Sequence, residues 1–135
     1  MSERTLNNGM KIPVIGMGTF GSDRFTPEQV SNAVAGAIKV GYRLFDCASV
    51  YQNEHLIGEV FEKAIADGIV KREELFITSK VWNDMHGQGD VLVACAQSLR
   101  DLKLDDIDLY FVHWPFPNYH APGVDIDSRD PHSRP

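Results

Sequence analysis

Three apolar runs of this chain close on an ionisable residue: YRLFD on Asp46, LFITSK on Lys80 and IDLYFVH on His113. The intervals between those residues are 34 and 33 positions, about the length of one strand–helix unit, so the three side chains are expected along one rim of a parallel sheet. Tyr51 follows the first run by five positions. An acid, an amine, an imidazole and a phenol gathered there make a proton-transfer site. A phenol ionises near ~10, too high for an efficient acid at neutral pH unless a neighbour stabilises its anion. Lys80 is the cation available for that, and Asp46 is the carboxylate that would keep Lys80 charged and in place. A neutral His113 can donate a hydrogen bond to a carbonyl oxygen and aim it at Tyr51. Taken singly, each residue has a plainer reading: a loop cap, a solvated charge, a packing aromatic, a core histidine. Their joint placement on successive strand ends favours the site.

The elements that must position them are legible in the pattern. Asn8-Gly9 between short apolar positions marks a tight hairpin over Thr5 to Ile12, followed by a first sheet strand from Pro13 to Gly18. Thr26-Pro27-Glu28-Gln29 opens a helix with a capping box and proline at its first position; Val30, Ala33, Val34 and Ala37 follow at helical spacing and Gly41 ends it. A strand over Tyr42 to Asp46 leads to Asn53, a suitable N-cap for a second helix that buries Leu56, Ile57, Val60, Phe61, Ala64 and Ile65 and stops at Gly68. The strand Leu75 to Lys80 precedes a third helix from Asp90, with Val91, Leu92, Cys95, Leu99 and Leu102 expected to face inward. A fourth strand, Ile107 to His113, is apolar apart from Asp108, as a strand covered on both faces should be. Residues 114–135 hold five of the seven prolines and no period, which reads as an irregular loop. Four parallel strands in a right-handed run are half of a closed (β/α)8 barrel, or else an open sheet.

Composition limits the function classes. The chain has 135 residues, 43% of them hydrophobic and 24% charged, the profile of one soluble globular domain. A net charge of −6 leaves no basic patch, so nucleic acid is not an expected partner. No apolar stretch approaches the ~20 residues of a membrane span, and the start MSERTLNNG has neither the cationic leader nor the apolar core of a signal peptide, which points to the cytosol. Cys47 and Cys95 are too few and too far apart for a disulfide scaffold, and none of the five histidines pairs at helical metal-ligand spacing, so no metal is expected.

One motif points elsewhere. Gly16-Met17-Gly18-Thr19-Phe20-Gly21 matches the G-x-G-x-x-G of dinucleotide-binding folds, and Asp46 ends the second strand where such folds place a ribose-binding acid. That mechanism needs the glycine turn to open directly into a helix, so that the pyrophosphate meets its N-terminus. Here the helix signal begins five residues past Gly21, and the rival leaves Tyr51, Lys80 and His113 without a role.

The strings GYRLFDCASVYQNEHLIG, LFITSKVW and DLYFVHWP resemble the aldo-keto reductases, NADP(H)-dependent (β/α)8 barrel enzymes that reduce aldehydes and ketones. The resemblance covers nearly the whole chain. It implies an α/β barrel of which the opening hairpin, four strands and three helices are present. It implies a catalytic tetrad of Asp46, Tyr51, Lys80 and His113. It places Thr19, Phe20 and Asp46 at the cofactor, and Phe20, Trp82, His113 and Trp114 around an apolar pocket for a small carbonyl substrate, such as a sugar aldehyde. Phe20 stands where many members carry tryptophan, and Ser49 replaces a histidine common in animal members. Members run to roughly twice this length, as barrels of ~250 residues do, so most cofactor contacts are expected outside this chain. Residues 1–135 then read as the N-terminal half of such a barrel. The remaining alternatives are a Rossmann-type NAD-binding domain and a non-catalytic module that pairs its exposed strand edges with a partner or a second copy.

Overall fold

A computed structural model describes residues 2–21 and 24–115 of the chain. Of the irregular segment expected at 114–135, Trp114 and Pro115 are described and the rest lies outside the described residues.

The hairpin forms from β1 (Glu3–Thr5) and β2 (Lys11–Pro13), paired antiparallel with Thr5 opposite Lys11. Its connection is longer than the two-residue turn that Asn8-Gly9 suggested. Gly9 takes a left-handed φ of 87°, and the Asn8 carboxamide oxygen accepts the amide of Met10 at 3.0 Å. Pro13 therefore belongs to the hairpin, and the first sheet strand shrinks to β3 (Met17–Gly18). Gly16, just before it, sits where an added Cβ would come within 2.5 Å of the Leu44 side chain, so this close approach of the backbone requires glycine.

The four-stranded sheet runs β3, β4 (Leu44–Asp46), β5 (Phe76–Val81) and β6 (Leu109–Val112), all parallel and in chain order. Between them lie α1 (Pro27–Lys39), α2 (Glu54–Ala66) and α3 (Asp90–Leu102). Helix α1 starts as the sequence indicates: the Gln29 amide donates to Thr26 Oγ1 at 3.2 Å and the Thr26 amide donates to Gln29 Oε1 at 2.9 Å. Consecutive helices pack on each other, and one core joins Val30, Val34 and Ile38 of α1 with Phe45, Ile77, Ile57, Phe61 and Leu102. Each such side chain contributes roughly 1.5–3 kcal/mol by burial. A monotonic strand order with all helices on one face has no topological switch point, which separates this fold from the dinucleotide-binding order.

Helix α3 presents a different face from the one expected. Ala94, Ser98 and Leu102 are buried, whereas Val91 and Leu92 are exposed and Cys95 and Leu99 only half-buried. The reason is a close approach to α2: an added Cβ on Gly58 would meet the backbone of Asp101 and Leu102, so α3 turns its small residues toward its neighbour. Asn53 also departs from expectation. It occupies the N-cap position of α2 but makes no capping bond; its Nδ2 donates instead to the Thr19 carbonyl at 2.9 Å. Asp108 is accounted for by its partners, since Oδ2 accepts the Ile77 amide and an Arg72 Nη2, both at 2.8 Å, and so ties the start of β6 to β5. Among the described residues, no helix is long and apolar enough to cross a membrane.

Candidate active site

Strand register builds the site. Asp46 lies opposite Thr78 on β5, and Lys80 lies opposite Phe111 on β6, so each next strand carries its ionisable side chain two residues further along. Side chains of a strand alternate between faces, which puts Thr78 and Lys80 on the face away from the helices. Just past the end of β6, the amide of His113 donates to the Val81 carbonyl at 3.1 Å and fixes its imidazole at the same rim.

Lys80 Nζ donates to Asp46 Oδ1 at 2.8 Å and to the Cys47 carbonyl at 2.7 Å. Asp46 Oδ1 also accepts the hydroxyl of Thr78. Its Oδ2 accepts nothing from the described residues, and the Asp46 side chain is 43% exposed at the rim. Tyr51 ends a 3-10 turn, Ser49–Tyr51, that is closed by Gln52 in a left-handed conformation. The turn holds the ring with its centroid 5.2 Å from Lys80 Nζ. Ser49 Oγ donates to the Lys80 carbonyl at 3.3 Å, a second tie between that turn and β5.

Aromatic residues close the rim around Tyr51. Its ring lies 5.1 Å from Phe20 and 5.9 Å from the imidazole of His113, edge-on to the latter. Trp82 stands edge-on to His113 at 5.1 Å and to Trp114 at 5.5 Å. Burial, and then the charge of Lys80, hold the imidazole of His113 below the ordinary histidine pKa, with Asp46 opposing them. His113 is accordingly neutral at pH 7, able to donate from one nitrogen only.

Every residue singled out in the sequence is thus at one rim, with one difference of environment. Thr19 is buried, and its hydroxyl is already donating to the Asp46 carbonyl at 3.0 Å, whereas the neighbouring Phe20 is 66% exposed. Thr19 and Phe20 also wall a cleft of about 430 Å³ toward α1, with Met17, Phe25 and Val30. Sequence reasoning missed the residues behind the rim. Thr78 could have been found from its period-two spacing to Lys80. Asn53 and Glu54 follow Tyr51 by two and three positions and read as ordinary helix-start residues. Among the described residues, no group of three or more histidine, cysteine or acidic side chains converges as a metal site.

The sequence model of the Aldo/keto reductase family matches residues 14–127. Curated relatives include an NADP-dependent D-sorbitol-6-phosphate dehydrogenase of Malus domestica, 47% identical over 89% of this chain and 37% of its own length. Another is an NAD(P)H-dependent D-xylose reductase of Pachysolen tannophilus, 52% identical over 82% of this chain and 33% of its own. A solved aldo-keto reductase of Bombyx mori in complex with NADP superposes with a TM-score of 0.85 at 42% identity, covering 96% of this chain and 41% of that one. The chain therefore spans about a third of the length of the curated relatives it matches. With the barrel-type strand order and this extent of similarity, the chain belongs to the aldo/keto reductase family.

Proposed function

We propose that this chain supplies the acid side of a site that reduces an aldehyde or ketone to an alcohol with NADP(H), working within the longest chain that its reading frame encodes. The observation that carries the reading is the cluster itself: Asp46, Lys80, Tyr51 and His113 within one rim, linked by a 2.8 Å ion pair and by ring contacts of 5.2 and 5.9 Å. In this reading Tyr51 gives its phenol proton to the carbonyl oxygen. The ammonium of Lys80 stabilises the resulting phenolate, and Asp46 with Thr78 holds Lys80 in place. Neutral His113 donates to the same oxygen and sets its angle to Tyr51. The ring faces of Phe20, Trp82 and Trp114 exclude water and accept an apolar or sugar-like substrate; a sugar aldehyde is favoured by the relatives named as xylose reductases.

The residues present fit the cofactor in part. Asp46 Oδ2 is an unengaged acceptor for a hydroxyl, and Phe20 offers an exposed ring face beside Tyr51. Thr19 has no free hydroxyl and would act through its backbone and packing. When bound, the cofactor supplies the hydride that the carbonyl carbon receives. The cytosol is the compartment this reading assumes, which fractionation of cells expressing the tagged chain would check. The activity is tested by following NADPH oxidation with 4-nitrobenzaldehyde and D-xylose. Turnover that depends on both carbonyl and NADPH supports the reading, and its absence with bound NADPH would refute it.

A further inference from the structure

Behind the rim lies a carboxyl that the proposed chemistry does not use. Glu54 is the first residue of α2, yet it is 3% exposed, and each of its oxygens accepts a serine hydroxyl: Oε2 from Ser79 of β5 at 2.7 Å and Oε1 from Ser98 of α3 at 2.8 Å. An acid in the first turn of a helix ordinarily faces water, where it meets the helix dipole at no desolvation cost. Here it is drawn inward and shared between three elements.

The sequence positions of its partners give the cluster its meaning. Glu54 comes three residues after Tyr51, with Asn53 between them pinned to the Thr19 carbonyl. Ser79 comes one residue before Lys80 and points to the opposite, helix-covered face of the same strand. The Glu54–Ser79 bond therefore joins the segment that carries the phenol to the strand residue next to the one that carries the ammonium. Ser98 has no such neighbour in the chain; it joins Glu54 to α3, beside Tyr110 of β6 and away from Lys80.

We propose that Glu54 is a positioning residue: its bond to Ser79 sets the spacing between Tyr51 and Lys80. The inference rests on the reading of that pair as the proton-donating unit. The charges that act on the carboxyl are Lys80, across β5 on its other face, and Asp101 of α3; its own charge acts in turn on Tyr110 of β6 and on the buried thiol of Cys47. Burial raises its pKa above the ordinary glutamate value against the two hydroxyl bonds, in keeping with a group held for geometry rather than for charge. A shift of ~1 Å between reacting groups can change a rate by about a hundredfold. Loss of the strut, which leaves Ser49 and Asn53 in place, should reduce kcat about tenfold.

The two serines provide the test, because each removes one hydrogen bond from the same carboxyl but only one lies on the path to Lys80. In the longest chain the reading frame encodes, Ser79→Ala should lower kcat for 4-nitrobenzaldehyde about tenfold with NADPH affinity unchanged. Ser98→Ala should stay within about twofold, at a similar loss of melting temperature. Glu54→Gln, which keeps an oxygen and a donor for the two serines, should retain most of the activity that Glu54→Ala loses. A second measurement does not depend on turnover: with 3-fluorotyrosine incorporated, the Tyr51 resonance, assigned by its loss in Tyr51→Phe, reports the ring's place between Phe20 and His113. It should shift in Ser79→Ala and not in Ser98→Ala. If both variants leave it alike, the inference is overturned. If the resonance behaves as expected while the wild type turns over no carbonyl, the strut stands and the proposed activity is what fails.

Discussion

Gly58→Ala should destabilise the protein, while Gly36→Ala should stabilise it, although both replace a glycine inside a helix by the best helix former. At Gly36 in α1 an added Cβ meets nothing within 4 Å. The substitution then returns the helix-propensity difference of roughly 0.5–1 kcal/mol. At Gly58 in α2 the same methyl would stand 2.1 Å from the Asp101 carbonyl oxygen and 2.7 and 2.8 Å from backbone atoms of Leu102. Those atoms cannot rotate away, so α3 must move outward by about an ångström. Overpacking of this kind costs roughly 1–3 kcal/mol. The movement also stretches the Glu54–Ser98 bond and loosens Phe61 against Leu102, so it should outweigh the gain in propensity. The expected outcome in urea unfolding is an unfolding free energy lowered by about 1–2 kcal/mol for Gly58→Ala and raised for Gly36→Ala, with the midpoints moving accordingly. A Gly58→Ala midpoint at or above that of wild type would show that the α2–α3 contact yields freely and that close approach does not dictate the glycine.

Three further outcomes follow from the charges and edges. Because burial raises the Glu54 pKa, its protonated form is favoured in the folded state; the stability this gives is present below the ordinary glutamate range and lost as pH rises through the folded value. Glu54→Gln should then match wild type in thermal melts at pH 4 and exceed it at pH 7, and a variant less stable at pH 7 than at pH 4, relative to wild type, would contradict that sign. The lowered pKa of His113 means that the folded state resists its protonation, so the acid limb that His113 contributes to kcat/KM should lie below the ordinary histidine value of ~6.5. A limb at pH 7 or above, lost in His113→Asn, would refute this. Residues 1–135 expressed alone should self-associate, since β3 and β6 each have one unpaired edge among the described residues and Phe111 and Val112 are exposed beside one of them; sedimentation that shows a cooperative monomer would overturn that expectation.

What could be read from the sequence was what repeats or what terminates. Asp46, Lys80 and His113 stand out because a polar residue ends each apolar run, and strand pairing in register then brings them together. The capping box at Thr26 and the glycine stops at Gly41 and Gly68 are local, and local chemistry is written in adjacent residues. The face of α3 was not legible, because it is chosen by the distance to α2 at Gly58 and not by the hydrophobicity of Val91 or Leu92. Asn53 could not be read correctly either: an asparagine before a helix fits capping, and only the approach of Thr19 from β3 diverts it. Glu54 and Ser79 read as polar residues facing water until the third dimension places them against each other.

The central claim, that Tyr51 is the proton donor of a carbonyl reduction, is tested most directly by Tyr51→Phe in the longest chain the reading frame encodes, with turnover and NADPH fluorescence titration measured on the same preparation. Removing the phenol leaves the Phe20 and His113 ring contacts in place and deletes the acid. Turnover should fall by about 10²–10⁴-fold, the usual range for a positioned acid, while NADPH affinity stays nearly unchanged. Residual turnover within tenfold of wild type would contradict the account and remove Tyr51 from that role.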